Sequence, residues 1–163
     1  IPKSDVSLLK DSISAILFLA VTGLRTSFSL ILVSSMLSKR FIDCSRNSDK
    51  SITIWGDGES RRSFLHVNDL AKAVNLIIDK DHFSESVLNV CSKNELSIRE
   101  LANEISNIVG FRGEINFDLS KPNGAKRKTL NDSNIRKIGW QEQTEFTVGL
   151  EAYVNAMKLD KTS

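Results

Sequence analysis

The chain has 163 residues, 40% of them hydrophobic and 26% charged, with a formal net charge of +2 and a pI near 8.6. This is the size and make-up of one ordinary globular domain that can bury a core. The balanced charge makes no case for nucleic acid, and there are no internal repeats or low-complexity stretches.

Residues 13–24 form an apolar run flanked by Lys10 and Arg25. A membrane helix needs about 20 apolar residues, so this run is short. A second apolar stretch, Phe28 to Leu37, follows at once. Together they imitate a signal or hairpin anchor, but no initiator methionine and no small-residue cleavage pattern accompany them. The expectation is a buried helix rather than a membrane segment, and residues 1–28 are left as an unassigned apolar N-terminal segment.

From residue 29 to 46, Leu30, Val33, Leu37 and Phe41 recur at helical spacing. Ser51–Trp55 reads as a strand, Phe64–Val67 as short and extended. Asn68 or Asp69 then caps a helix to about residue 79 with Leu70, Val74, Ile77 and Ile78 on one face. Val87–Cys91 is expected to be a strand. Ser97 and Glu100 form a capping box for a helix striped by Ile98, Leu101, Ala102, Ile105, Ile108 and Val109, and Gly110 ends it. Glu114–Asp118 is a strand, 119–129 a long basic loop. A short helix from Ser133 stops at Gly139-Trp140, and a last helix covers about 145–158. Strands and helices alternate after residue 50, which favours an α/β architecture.

The densest cluster of signals is Trp55 to Arg62. A strand ends in a Gly-Asp-Gly turn and is followed by two arginines and a capped helix. Glycines let backbone approach a ligand closely, and an arginine fork suits phosphate. Trp55 can line a ligand pocket, or fill the core as a strand-end aromatic. Arg61 and Arg62 can hold a diphosphate, or be solvated surface charges. Lys121-Pro122-Asn123-Gly124 is a turn within a run of cations. That run either closes over an anion opposite Arg62 or moves freely in solvent.

His66 reads as a structural hydrogen-bonding residue, and His82 sits in a charged loop. Nothing has zinc spacing, and Asp57 is accounted for by turn chemistry. Cys44 and Cys91 form no motif, and Cys91 reads as a small core residue; this usage favours a reducing, cytoplasmic setting. No Gly-x-Gly-x-x-Gly cradle and no Tyr-x-x-x-Lys pair is present, so no residue is assigned to catalysis or to a cofactor.

From Ser51 to Met157 the chain resembles the C-terminal part of the GDP-L-fucose synthases, NADPH-dependent epimerase/reductases of the extended short-chain dehydrogenase/reductase superfamily. The matching pieces run in order. They are Trp-Gly-x-Gly-x-x-Arg-Arg-x-Phe-Leu-His-Val-x-Asp-Leu-Ala at 55–71, Leu-Asn-Val-Cys-Ser at 88–92 and Leu-Ser-Ile-Arg-Glu-Leu-Ala at 96–102. Val-Gly-Phe-x-Gly-Glu-Ile follows at 109–115, Phe-Asp-x-Ser-Lys-Pro-x-Gly-x-x-Arg-Lys at 117–128 and Ile-Gly-Trp at 138–140. The first is shared widely among nucleotide-sugar epimerases; the Ser-Lys-Pro-x-Gly loop is narrower.

The resemblance implies the substrate-binding portion, residues 29–160, of an extended Rossmann-type enzyme without its N-terminal dinucleotide-binding half. It implies that Trp55 and Arg62 bind a GDP-sugar, that Arg40 on the preceding helix contacts it, and that Arg127 closes on it from the basic loop. It implies NADP as the cofactor of the whole enzyme, converting GDP-4-keto-6-deoxy-mannose to GDP-L-fucose, and a homodimer. It implies no nucleic-acid partner and no membrane. The family's Ser–Tyr–Lys centre has no counterpart here. Leu32 stands where the family places a histidine beside its cofactor, and Cys44 and Cys91 do not match its proton-transfer residues. Alternatives are another nucleotide-sugar epimerase or dehydratase, or a truncated noncatalytic chain.

Overall fold

A computed structural model describes residues 28–80 and 88–159, with side chains in the first helix described from Ser35 onward. The apolar run at 13–24, His82 and Val87 lie outside the described residues. The elements in order are α1 (Phe28–Arg46), β1 (Ser51–Trp55), β2 (Arg61–Ser63), α2 (Val67–Asp79) and β3 (Glu95–Ser97). After them come α3 (Ile98–Val109), β4 (Glu114–Asp118), β5 (Arg127–Lys128), α4 (Ser133–Lys137) and α5 (Phe146–Leu159). They fall into two compact units, the described residues within 28–64, 93–129 and 145–163 forming one and those within 65–92 and 130–144 the other.

The first unit is α/β. β1 and β4 pair in parallel, Ser51 opposite Glu114 through Trp55 opposite Asp118. Along β1 burial alternates, with Ile52 and Ile54 inward and Ser51, Thr53 and Trp55 outward. The period of two thus turns Trp55 away from the core. Leu37, Phe41 and Ile42 of α1, Leu101, Ala102 and Ile105 of α3, and Leu150 and Val154 of α5 cover the inward strand residues. Phe41 meets Phe111 edge to face, with ring centres 5.5 Å apart. Each fully buried aliphatic or aromatic side chain of this kind contributes about 1.5–3 kcal/mol. A second sheet has the order β3–β2–β5. β2 runs antiparallel to β3, with Arg62 opposite Leu96, and parallel to β5, with Arg62 opposite Lys128.

α3 starts as the sequence requires. Ser97 Oγ accepts from the Glu100 amide at 3.1 Å, and the Glu100 carboxylate accepts from the Ser97 amide at 2.6 Å. The helix ends at Gly110, with φ 77°.

The second unit has its own small core: Leu70, Ala73, Ile77, Leu88, Val90, Ile135 and Trp140. Here the expected details change. α2 is capped by His66, whose ring nitrogen accepts from the Asn68 amide, and not by Asn68 or Asp69. Asp69 is instead buried, 1% exposed, and its carboxylate accepts from the Thr144 amide at 2.8 Å. The buried face runs through Leu70, Ala73 and Ile77, and Ile78 is exposed. A 100° turn per residue places 70, 73 and 77 together and swings 78 off their stripe.

The strand expected at Val87–Cys91 is not assigned over Leu88–Cys91. All five described strands belong to the first unit, so this segment has no ladder partner among the described residues. Side-chain bonds hold it instead. Asn89 donates to the Asn131 carbonyl at 2.9 Å, and the Cys91 thiol to the Leu130 carbonyl at 3.2 Å. Leu88, Val90 and Cys91 are buried. The extended segment expected at Phe64–Val67 lies earlier, as the ladder of Arg61–Ser63.

Candidate functional site

The first unit brings together the two segments that carried most signal in the sequence, the Trp55–Arg62 turn and the basic loop after β4. β1 and β4 end side by side, and the Gly56 amide extends their ladder by donating to the Asp118 carbonyl at 2.9 Å. The turn needs glycine twice: Gly56 has φ +82° and Gly58 φ +79°. A Cβ at Gly56 would lie closer than 3.0 Å to Asn123 Oδ1, and one at Gly58 equally close to the Phe117 ring.

α3 supports the turn from its N-terminus. The Ile98 amide donates to the Ser60 carbonyl at 3.1 Å and the Arg99 amide to the Gly58 carbonyl at 3.0 Å. The Arg99 side chain adds a 2.6 Å bond to the Asp57 carbonyl and an ion pair with Glu59 at 3.1 Å, and it stacks on Phe117, 3.9 Å from the ring centre.

The basic loop is laced to the turn. The Asp57 amide donates to Asn123 Oδ1 at 2.9 Å, and Asn123 Nδ2 returns a bond to Asp57 Oδ2 at 2.8 Å. The Arg61 amide donates to the Lys126 carbonyl at 2.8 Å. Arg62 Nη1 donates to the Arg61 carbonyl at 2.7 Å and to the Ala125 carbonyl at 2.8 Å. Arg62 is 8% exposed, so of the two fates open to it in the sequence, solvated surface charge is ruled out. A buried guanidinium is tolerable only when its donors are met, and the Arg61 carbonyl of β2 and the Ala125 carbonyl of the loop take those of Nη1.

Trp55 is 69% exposed, which overturns the core-filling alternative for it. Lys121 Nζ stands 5.7 Å from its ring centre, a cation–π contact of about 0.5–1 kcal/mol at an exposed site. The turn thus presents an open indole beside a lysine.

The other two expected binding residues are placed differently. Arg127 gives Nε and Nη2 to the Glu95 carboxylate, at 2.8 and 3.0 Å. The hydrogen bond from Arg127 is the main reason that the Glu95 carboxyl is held below the usual range. Arg61 reaches the same residue, donating to the Glu95 carbonyl at 2.7 Å. Arg40 is exposed on α1, and no hydrogen bond or ion pair joins it to the turn or the loop among the described residues. Asn123, Arg99 and Glu95 organise the site without having been expected to. Asn123 had a local signal, as the residue between proline and glycine in a turn; Arg99 and Glu95 had none.

The glycine turn does not fit the pyrophosphate of a dinucleotide. A pyrophosphate cradle needs a glycine turn opening onto free amides at a helix start. Here the glycine turn leads into β2, its concavities are filled by Asn123 and Phe117, and the first amides of α3 are bonded to the turn and to Ser97.

Comparison with known proteins shows what the chain is similar to. Residues 20–91 match the NAD dependent epimerase/dehydratase family. A probable GDP-L-fucose synthase 1 of Oryza sativa subsp. japonica is 39% identical over 114 residues, covering 70% of this chain and 34% of that protein. The chain thus spans about a third of the length of the curated relatives it matches. Among solved structures, the GDP-mannoheptose C4 reductase of Campylobacter jejuni with NADP bound is 29% identical, with a TM-score of 0.65 over 77% of this chain and 44% of that one. The fold is also that of the NADP-bound GDP-L-fucose synthetase of Naegleria fowleri, at 23% identity and a TM-score of 0.72, covering 80% of this chain and 41% of that one. Over residues 20–91 the chain thus carries a match to the NAD dependent epimerase/dehydratase family, and over about 114 residues it is similar to GDP-L-fucose synthases.

Proposed function

We propose that the Trp55–Arg62 turn and the Lys121–Lys128 loop form the GDP-sugar side of a GDP-L-fucose-synthase-like epimerase/reductase. The observation that carries this reading is the lacing of the two segments. Trp55 keeps an exposed indole with the Lys121 ammonium over it, and Arg62, from the same turn, reaches the loop at the Ala125 carbonyl. An indole face offers stacking to a base, and fixed cations offer neutralisation to a diphosphate. Relatives named for GDP-sugars on both the sequence and the structure side favour GDP over other nucleotides.

In the whole enzyme the reaction is the conversion of GDP-4-keto-6-deoxy-mannose to GDP-L-fucose. NADP supplies the hydride there, and no step of that transfer is assigned to residues of this chain. The domain reading is a substrate-binding lobe over residues 29–160, in a homodimer of the whole enzyme. Free Cys44 and Cys91 fit a reducing, cytoplasmic setting. No helix among the described residues is long and apolar enough to cross a membrane.

In this reading Arg62 has two duties, holding the Ala125 carbonyl and presenting charge to the diphosphate. Arg127, held by Glu95, contributes charge from the rim. Calorimetric titration of the chain with GDP, UDP and dTDP is the test. GDP is expected to bind best, and Arg62→Ala to lose at least about tenfold in affinity, the loss of one charge-assisted contact. Equal binding of the three nucleotides argues for a different nucleotide-sugar epimerase or dehydratase. Unchanged GDP binding by Arg62→Ala removes Arg62 from the site.

A further inference from the structure

We propose that Asp57 and Asn123 form a donor–acceptor-matched clamp that fixes the basic loop against the glycine turn, so that Asn123 is a positioning residue rather than a ligand contact. The inference deepens the nucleotide reading above and rests on it for its binding consequence alone.

The pairing is reciprocal, and it uses both faces of the amide. Asn123 Oδ1 accepts from the Asp57 backbone, while Nδ2 donates to Asp57 Oδ2. The remaining oxygen, Asp57 Oδ1, accepts from the Glu59 amide at 2.9 Å and so fixes the carboxylate's orientation. The seat for the amide is built into the turn, because Asn123 Oδ1 fills the space where any side chain at position 56 would stand. Only a side chain with one acceptor and one donor at this reach completes the set. Aspartate would face a second carboxylate, and alanine would leave the Asp57 amide and Oδ2 without these partners.

The clamp lies at the loop's midpoint. Two residues before it, Lys121 stands over Trp55; two residues after it, the Ala125 carbonyl receives Arg62. Fixing position 123 therefore sets both, and with them the spacing of cation and indole. Elsewhere the loop is exposed from Leu119 to Thr129, so little apolar burial holds it in place.

The donor–acceptor pattern makes an exchange possible. In the double variant Asp57→Asn with Asn123→Asp, the amide oxygen now at position 57 still accepts from the Glu59 backbone. The amide nitrogen beside it donates to the carboxylate now at position 123, whose other oxygen accepts from the backbone amide of position 57. Every bond and the net charge are kept. Each single change breaks the match.

The test is trypsin cleavage of the ligand-free 163-residue chain at Lys126, Arg127 and Lys128, where native cleavage follows the fraction of open loop. Asn123→Asp is expected to speed cleavage there by at least about tenfold, since a lost hydrogen bond is joined by like-charge repulsion, and the exchanged double variant to return to the parental rate. Asp57→Asn alone is the second variant, expected to speed cleavage as well, and it decides the matter if Asn123→Asp fails to fold. Cleavage of the single variants at the parental rate overturns the clamp, and so does a double variant no slower than the singles. GDP titration of the same proteins is a separate arm. Weakened binding in the singles that recovers in the double extends the clamp to the site. If the parent binds no GDP while the cleavage pattern holds, the nucleotide reading fails and the clamp stands.

Discussion

Gly56 resists substitution on two counts, and the separation of the two is measurable. Its φ of +82° lies in the left-handed region, and a Cβ there would collide with Asn123. Gly110 shares the first constraint, with φ +77°, but has nothing within 4 Å of a Cβ. Gly110→Ala is expected to cost only the backbone term, about 1–2 kcal/mol. Gly56→Ala is expected to cost more and to release the loop as well. Urea unfolding of both variants checks this; equal costs would mean that the Asn123 contact is not tight. At this scale the sequence was partly legible. The sequence leaves Trp55 open between pocket and core, and the alternation of Ser-Ile-Thr-Ile-Trp, with Ile52 and Ile54 inward, is the local signal that decides for the outside. The burial of Arg62 was not legible, because its acceptor lies 63 residues along the chain.

At the scale of elements, α3 and α2 show where local rules suffice. The α3 box joins Ser97 and Glu100, three residues apart, so the pattern of residues alone identifies it. Ser97→Ala is expected to lower stability by about 1 kcal/mol, read as a drop in the urea midpoint, and Ser97→Thr to recover most of it. α2 departs from its local signals because Asp69, an apparent cap, is taken by a remote partner, Thr144. That leaves His66 to cap the helix with a neutral ring nitrogen.

This arrangement makes the second unit sensitive to acid. Burial holds the His66 pKa below its ordinary value of about 6.5, and Lys72 adds to this against the pull of Asp69. The unfolded chain therefore takes up a proton first, and the stability due to neutral His66 is lost as pH falls through about 6.5 toward the lower folded value. Burial alone would raise the Asp69 carboxyl. The hydrogen bonds from Thr144, Gln143 and Lys72 outweigh it and set a net lowering from 3.8. Its contribution is present above that value and is lost as pH falls through the folded one. Urea midpoints measured from about pH 7.5 to about pH 3 are expected to fall in two stages, with His66→Ala lower throughout but lacking the first. A parental midpoint flat between about pH 7 and 5 would contradict the His66 part.

At the scale of the whole chain, each compact unit carries one tryptophan, buried Trp140 in one and exposed Trp55 in the other. Trp140 is held by a 3.0 Å bond from its indole to the Asp69 carbonyl. Iodide is expected to quench only one component of the emission. That component disappears in Trp55→Phe and survives in Trp140→Phe. If the Trp140 emission is quenched equally, the burial described for that unit is wrong.

By itself the sequence determined the features whose causes lie within a few residues. These are the alternation that makes β1, the box that starts α3, the left-handed glycine that ends it, and the ordered motifs that mark the family. The tertiary structure alone decided what the charged and polar side chains do. Arg62 is spent on a carbonyl 63 residues away, Arg127 on a carboxylate 32 away, and Asn123 on a turn 66 away. Periodicity and turn chemistry act over one or two turns of chain. The fate of a charge depends on which acceptors the fold brings to it and how much water it removes, and no local pattern encodes either.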